Sequence, residues 1–173
     1  MKNLILIISL VCFSLVSEAQ TKAIPLNFHG VDVYAMMTPT QTYEVVGVST
    51  FKTTKSALSN TEWLDIAMQQ SPVETFDAIV TRNGMNIQYI VYKENQELNN
   101  GILTNLKGED FETYYFSVPT REYTVVGKQD LGKTVSSTSF YDIMGDLWLR
   151  KYKLKHDAII VGENEVQYII YNL

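Results

Sequence analysis

"DAIVTRNGMNIQYIVY" runs from Asp77 to Tyr92, and "DAIIVGENEVQYIIY" runs from Asp157 to Tyr171. Each phrase holds two runs rich in β-branched and aromatic residues around a polar break, which reads as strand, turn, strand. In the first, Asn83-Gly84 is the signal of a type I′ turn, because that turn needs positive φ at both central residues. In the second, Gly162, Glu163 and Asn164 stand at the break, and the phrase is one residue shorter. The offset between the phrases is 80 at Asp77/Asp157 and 79 at Gln88/Gln167, so the length change falls in the turn. A slip inside a strand would instead swap its two faces.

Outward from these hairpins the echo continues. "PTQTYEVVG", Pro39–Gly47, matches "PTREYTVVG", Pro119–Gly127, at six of nine positions and an offset of 80. "GVDV" from Gly30 resembles "GEDF" from Gly108 at an offset of 78. Three blocks in one order at nearly constant spacing indicate a tandem duplication, with a period well beyond the roughly 20–50 residues of solenoid repeats. "YEVVGVSTF" and "YTVVGKQDL" each open as strands. A helix follows in each unit. Phe140, Ile143, Met144, Leu147, Trp148 and Tyr152 keep one-sided helical spacing. In the first unit Ser59 with Glu62 forms a capping-box pattern, and Trp63, Leu64, Ala67 and Met68 match Ile143, Met144, Leu147 and Trp148. The expected fold class is α+β: a duplicated strand-strand-helix-strand-strand unit, the two units packed together.

The strands do not alternate cleanly. In "IQYIVY", Ile87, Tyr89 and Val91 face one way, and Gln88, Ile90 and Tyr92 the other. A sheet with one wet face would alternate apolar and polar. The helix can cover one face, and the sister unit is the simplest cover for the other. Each buried Ile or Val contributes about 1.5–3 kcal/mol, enough for several to outweigh ordering of a linker.

Residues 1–19 read as a cleavable signal peptide. Lys2 precedes the apolar run Leu4–Val16, and Ser17 to Ala19 place small residues before a cleavage point after Ala19. That run is shorter than the roughly 20 residues that span a bilayer, so no membrane anchor is expected after cleavage. The single cysteine, Cys12, leaves with the leader, so the mature chain can form no disulfide and no thiolate site. The expected location is periplasmic or secreted. The remaining organisation is an N-terminal segment 20–29, repeat unit 30–93, a polar connector 94–107 and repeat unit 108–173. Removal of Lys2 and Glu18 leaves the net charge at −5. A mildly acidic chain without a basic run is a poor match for nucleic acid.

Chemistry-bearing constellations are sparse. His29 and His156 have no second histidine at ligand spacing, and His156 aligns with Phe76, an apolar ring. Glu109, Asp110 and Glu112 lack the spacing and glycine bend of a calcium loop. Asp77 and Asp157 each open a strand, where a shared role in accepting backbone N–H groups is simpler than catalysis. Gln88 and Gln167 are expected to hydrogen-bond across the sheet or between units. Gly127, Gly132, Lys133 and Thr134 meet the spacing of a phosphate loop, yet the twin stretch "VVGVSTFKTT" does not, and the match reads as chance. No nucleophile motif is present. "ETYYFSV", Glu112–Val118, must expose some rings if it is a strand.

"YEVVG", Tyr43–Gly47, followed by a helix and "DAIV", Asp77–Val80, resembles the small YbjQ-like domains described as heavy-metal-binding. The resemblance covers about half of each unit. It implies a glycine after a first strand, a helix leading into an "ADAIV"-like strand, and ring oligomers. The export signal, the lack of a mature cysteine and the terminal hairpin depart from that family, so its metal role transfers to no residue here.

The sequence therefore leads to a non-enzymatic, exported envelope protein acting as a protein-binding or assembly module, by a partner or by self-association. A small-molecule or metal-ion binder in the cleft between units stays open as the alternative. No catalytic, cofactor-binding or metal-ligating residue is assigned.

Overall fold

The computed structural model describes residues 21–94, 99–104, 112–135, 140 and 155–173. The leader, Glu109, Asp110 and the expected second helix beyond Phe140 lie outside them. Among the described residues the fold is mostly β, with 53% strand, 9% helix and a curled half-barrel sheet. This corrects the expected α+β class with a helix in each unit. The strands that tip the balance are short or carry proline, and so leave little periodic trace.

In chain order the strands are β1 (Lys22–Phe28), β2 (Val31–Ala35), β3 (Met37–Pro39), β4 (Tyr43–Thr50), β5 (Ala57–Leu58), then helix α1 (Asn60–Gln69). There follow β6 (Ala78–Thr81), β7 (Asn86–Tyr92), β8 (Gly101–Leu103), β9 (Glu112–Tyr115) and β10 (Ser117–Pro119). The last are β11 (Tyr123–Asp130), β12 (Thr134–Val135), β13 (Ala158–Val161) and β14 (Glu165–Tyr171).

The two halves pair their strands alike. β2 runs parallel to β6, β6 antiparallel to β7, and β7 antiparallel to β4. In the second half β9 runs parallel to β13, β13 antiparallel to β14, and β14 antiparallel to β11. Both outer strands carry a bulge at one place, between Val45 and Gly47 and between Val125 and Gly127. Asp32 pairs with Ala78 as Glu112 pairs with Ala158, so Glu112 takes the place of Asp32 at an offset of 80. The match of Gly30 to Gly108 at 78 is out of step with that register. The core strand pairings of the two halves thus correspond one for one.

The first hairpin is wider than a type I′ turn. Gly84 has φ of +76°, but Asn83 is not among the residues with positive φ. Instead Asn83 Oδ1 accepts from the Met85 and Asn86 amides, and the local side-chain bonds hold a longer loop. The second turn closes tightly, with Gly162 N donating to Glu165 O at 2.9 Å.

Strands are exchanged between the halves. β1 pairs with β10, Ala23 opposite Pro119, while β8 pairs with β3, Gly101 opposite Pro39. β1 also pairs with β2 and with β8, which joins the halves edge to edge. β5 and β12 pair with each other, Leu58 opposite Thr134. At Asn60 and Phe140 the exchange is again reciprocal. Asn60 Nδ2 donates to Gly162 O in the second hairpin (2.7 Å), and Phe140 N donates to Asn83 O in the first (3.2 Å).

Helix α1 begins at Ser59, whose hydroxyl accepts from Glu62 N while Glu62 accepts from Ser59 N, a complete capping box. Trp63, Leu64 and Ala67 are buried, and Pro72 lies just past the end, where no helix can continue. A Cβ at Gly47 would stand 2.8 Å from Pro72 Cγ, so the glycine of "YEVVG" lets β4 approach the segment after α1. Each sheet buries residues on both faces. One cluster gathers Trp63, Leu64, Tyr89, Tyr115, Phe116 and Phe140, and the other gathers Tyr34, Met37, Ile90, Tyr114, Ile160 and Ile169. Both clusters draw on both halves.

Candidate functional site

Two polar clusters interrupt the second apolar face at equivalent places. Asp32 and Tyr34 are two apart on β2 and so share a face. Tyr92 lies on β7, with β6 between, and opposite Asp32 β6 places only the methyl group of Ala78. Across that gap the Tyr92 hydroxyl donates to Asp32 Oδ2 (2.8 Å), with the Tyr34 hydroxyl 3.0 Å from it. Asn27 Nδ2 donates to Asp32 Oδ1 (2.9 Å), and Asn99 Nδ2 donates to Oδ2. The second half repeats the arrangement with Glu112, Tyr114 and Tyr171 around Ala158. Tyr114 donates to Glu112 Oε2 (2.8 Å) and lies 2.8 Å from the Tyr171 hydroxyl, which also bonds Oε2.

Each carboxylate is completed by the other half. Thr21, just before β1, donates to Glu112 Oε1 at 2.7 Å, while Asn99, just before β8, donates to Asp32. The clusters differ in charge. Arg121 Nη2 meets Glu112 Oε2 at 2.8 Å, with its guanidinium carbon 3.7 Å from the centre of the Tyr171 ring. At the matching position stands Gln41, which donates to Asn99 Oδ1 (2.6 Å) and leaves its buried Oε1 without a partner.

Electrostatics makes these groups fixtures. Burial pushes the Tyr92 and Tyr171 hydroxyls far up, aided in each by its neighbouring tyrosine and carboxylate. Burial, with Glu112 beside it, takes Tyr114 up to about 12. Burial opposes ionisation of Glu112, but bonds from Tyr171, Thr21 and Tyr114 and the charge of Arg121 outweigh it, so its carboxyl stays below the usual range. The tyrosines remain donors and Glu112 remains an acceptor at neutral pH. Such a set pins strands together.

The residues singled out in the sequence fall elsewhere, Glu112 excepted. Asp77 Oδ2 accepts from Tyr92 N (2.8 Å) and Asp157 Oδ2 from Tyr171 N (3.0 Å), the shared backbone role. Gln88 is exposed, and Gln167 bonds Glu165 along its own strand (2.6 Å), so neither spans the unit interface. His29 sits in an exposed turn at φ of +53°, and the His156 ring lies edge-on to Tyr168. Gly127 is mid-strand in β11, and Lys133 pairs with Glu62 at 3.2 Å, so the Gly-Lys-Thr stretch forms no phosphate loop. In "ETYYFSV" no ring is exposed: Tyr114, Tyr115 and Phe116 are all buried. Phe116 has φ of +49°, which breaks the strand and lets Tyr115 and Phe116 enter one cluster. Among the described residues no group of three or more His, Asp or Glu could hold a metal ion. No helix among them is long and apolar enough to cross a membrane.

The surface carries two further paired features. A cleft of about 680 Å³ opens between β1, β10 and the β13–β14 hairpin, and one of about 440 Å³ lies at the equivalent place in the first half. Tyr43 and Gln88 line one, Tyr123 and Gln167 the other. The outer strands β4 and β11, eight residues each, pair on one side only among the described residues. β4 exposes Val45, Val46 and Val48, the last at 65%, and β11 exposes Val125.

No protein-family model matches the chain, no curated protein matches it, and no solved structure matches it.

Proposed function

We propose that the protein is an exported, non-catalytic binding and assembly module of the bacterial envelope that engages β-edges of other chains, simplest of all further copies of itself. The observation that carries this reading is the pair of eight-residue strands, β4 and β11, each with one side unpaired among the described residues, with Val45, Val46 and Val48 bare on β4 and Val125 on β11. An unpaired edge presents free N–H and C=O groups in register for another strand. Edges are usually blunted by lysine, proline, a bulge or a covering loop; β4 has neither lysine nor proline between Tyr43 and Thr50, while both edges carry one bulge and β11 carries Lys128. Export rests on the leader-like residues 1–19.

Sedimentation velocity over a wide concentration range tests it. The protein should form larger species as concentration rises, and Val48→Lys with Val125→Lys should abolish them while circular dichroism stays unchanged. A protein that stays monomeric throughout, or associates equally well with both lysines present, overturns the reading. A second reading, a binder of small molecules, is favoured by the 680 Å³ cleft, which falls within the roughly 300–1,000 Å³ of ligand pockets.

A further inference from the structure

The two clefts share a scaffold and differ at their mouths. Tyr43, Val80 and Gln88 in the first correspond to Tyr123, Ile160 and Gln167 in the second. Around them the residues change in kind. Arg82, Asn83 and Asn86 line the first cleft, where the second has Gly162, Glu163 and Glu165. Asp130 is added from β11. The mouth thus passes from one cation and no carboxylate to three carboxylates and no cation among the lining residues. Of the three, only Glu165 is ion-paired with a described residue, Lys128 at 2.8 Å.

The wall changes too. Met37, buried in the first half, is replaced by Ser117, and the larger cleft is the one with the smaller side chain. Ser117 is 4% exposed and its Oγ has no hydrogen-bond partner, an orphan for which a buried hydroxyl ordinarily finds a mate. Ile24, Leu26, Val118 and Ile160 supply apolar wall beside it. A concave site with one sign of charge at its mouth concentrates ions of the other sign.

We propose that the cleft of the second half binds an organic cation: an ammonium or guanidinium group held by Asp130, Glu163 and Glu165, on an apolar body that lies against Ile24, Val118 and Ile160. This deepens the second reading above and leaves the edge-assembly reading untouched. The same chemistry comes from a free amine or from an Arg side chain beside an aromatic residue in a peptide, and the test separates them.

Isothermal titration with phenethylammonium, 2-phenylethanol, 3-phenylpropionate and N-acetyl-phenylalanyl-arginine amide compares charge at constant ring size. Backbone NMR shifts at Tyr123 and Gln167 locate any binding. The cations should bind at least several-fold tighter than the alcohol, and the propionate least. Tighter binding of the dipeptide than of the amine assigns a peptide source, and the reverse assigns a free amine. Asp130→Asn with Glu163→Gln should weaken cation binding about tenfold and leave the alcohol unchanged. Ser117→Met introduces the residue that lines the smaller first cleft and should weaken all probes by narrowing the wall. If alcohol and cation bind equally and Ser117→Met weakens both, the cation inference fails and the cleft reading survives. If no probe shifts Tyr123 or Gln167, or Ser117→Met changes nothing, both fail.

Discussion

Glu112→Gln isolates the polar cluster that ties the second half to Thr21. The substitution keeps shape and removes charge. Tyr114 and Tyr171 then donate to a neutral oxygen, where hydrogen bonds contribute about 0.5–1.5 kcal/mol instead of about 1.5–3. The Arg121 pair adds at most about 1 kcal/mol, since Arg121 is more than half exposed. Together these give a loss of roughly 2–4 kcal/mol at neutral pH. The loss depends on pH in a definite sense. The folded-state carboxyl lies below its ordinary value of 4.5, so its contribution is complete above that value and fades as pH falls through the folded value. The gap between parent and variant should therefore narrow as pH falls below 4.5. Glu62, held down to about 2 by Lys55 and the Ser59 amide, and Glu165 titrate alike in both proteins and cancel in the difference. Urea titration followed by circular dichroism at several pH values measures it. A gap below about 0.5 kcal/mol, or one that stays constant down to acid pH, refutes the assignment of Glu112 as an ionised acceptor of these bonds.

Gly47→Ala should destabilise the protein by about 1–3 kcal/mol in urea titration, because the Pro72 ring cannot bend away from a methyl group 2.8 Å from its Cγ. Ser59→Ala removes the helix cap and should lower stability by about 0.5–2 kcal/mol, with a matching fall in melting temperature on calorimetry. Asn60→Ala strips the Gly162 carbonyl of its donor and the buried Tyr115 hydroxyl of its acceptor, for about 1–3 kcal/mol. It should also speed hydrogen exchange around Gly162 in the other half, and unchanged exchange there would separate the halves energetically.

What the sequence displays is the part of the fold set by local rules. The Ser59–Glu62 cap places α1 to the residue, and the hairpins lie where "DAIVTRNGMNIQYIVY" and its twin put them. The one-residue difference between them falls in the turns. What stays hidden is non-local. β1 reads "KAIPLNF", with a proline and no clean alternation, and it becomes a strand because β2, β8 and β10 all pair with it. β8 is three residues in a polar stretch that reads as a connector, and it pairs with β3 across more than sixty positions. The carboxylate–tyrosine clusters were within reach. Aligning "VDVY" with "FETY" at the offset of 80 shown by the neighbouring proline block pairs Asp32 with Glu112 and Tyr34 with Tyr114. The match to Gly108 at 78 pairs Asp32 with Asp110 instead and conceals them. Tyr92 and Tyr171 carry no local mark, because a tyrosine late in an apolar strand reads as core.

The exchange of strands follows from two residues. Met36 and Phe116, at equivalent places, adopt φ of +57° and +49°, a region that disfavours bulky side chains by roughly 1–3 kcal/mol each. The same residues are almost fully buried, worth about 1.5–3 kcal/mol each, and their amides bond Thr81 O and Val161 O at 2.8 and 2.9 Å. Burial and pairing thus offset the strain at both sites. Their consequence is directional. The kink turns β3 out of line with β2 and β10 out of line with β9, and each then finds its antiparallel partner in the other half's leading strand. Met36 O accepts from Thr104 and Phe116 O accepts from Leu26, so the kinked residue itself begins the pairing with the exchanged strand. A lone unit with this kink would leave β3 or β10 as a bare edge and its second apolar face open to water. The two halves of the chain satisfy both needs with the same backbone step, at residues that share a positive φ and no sequence identity.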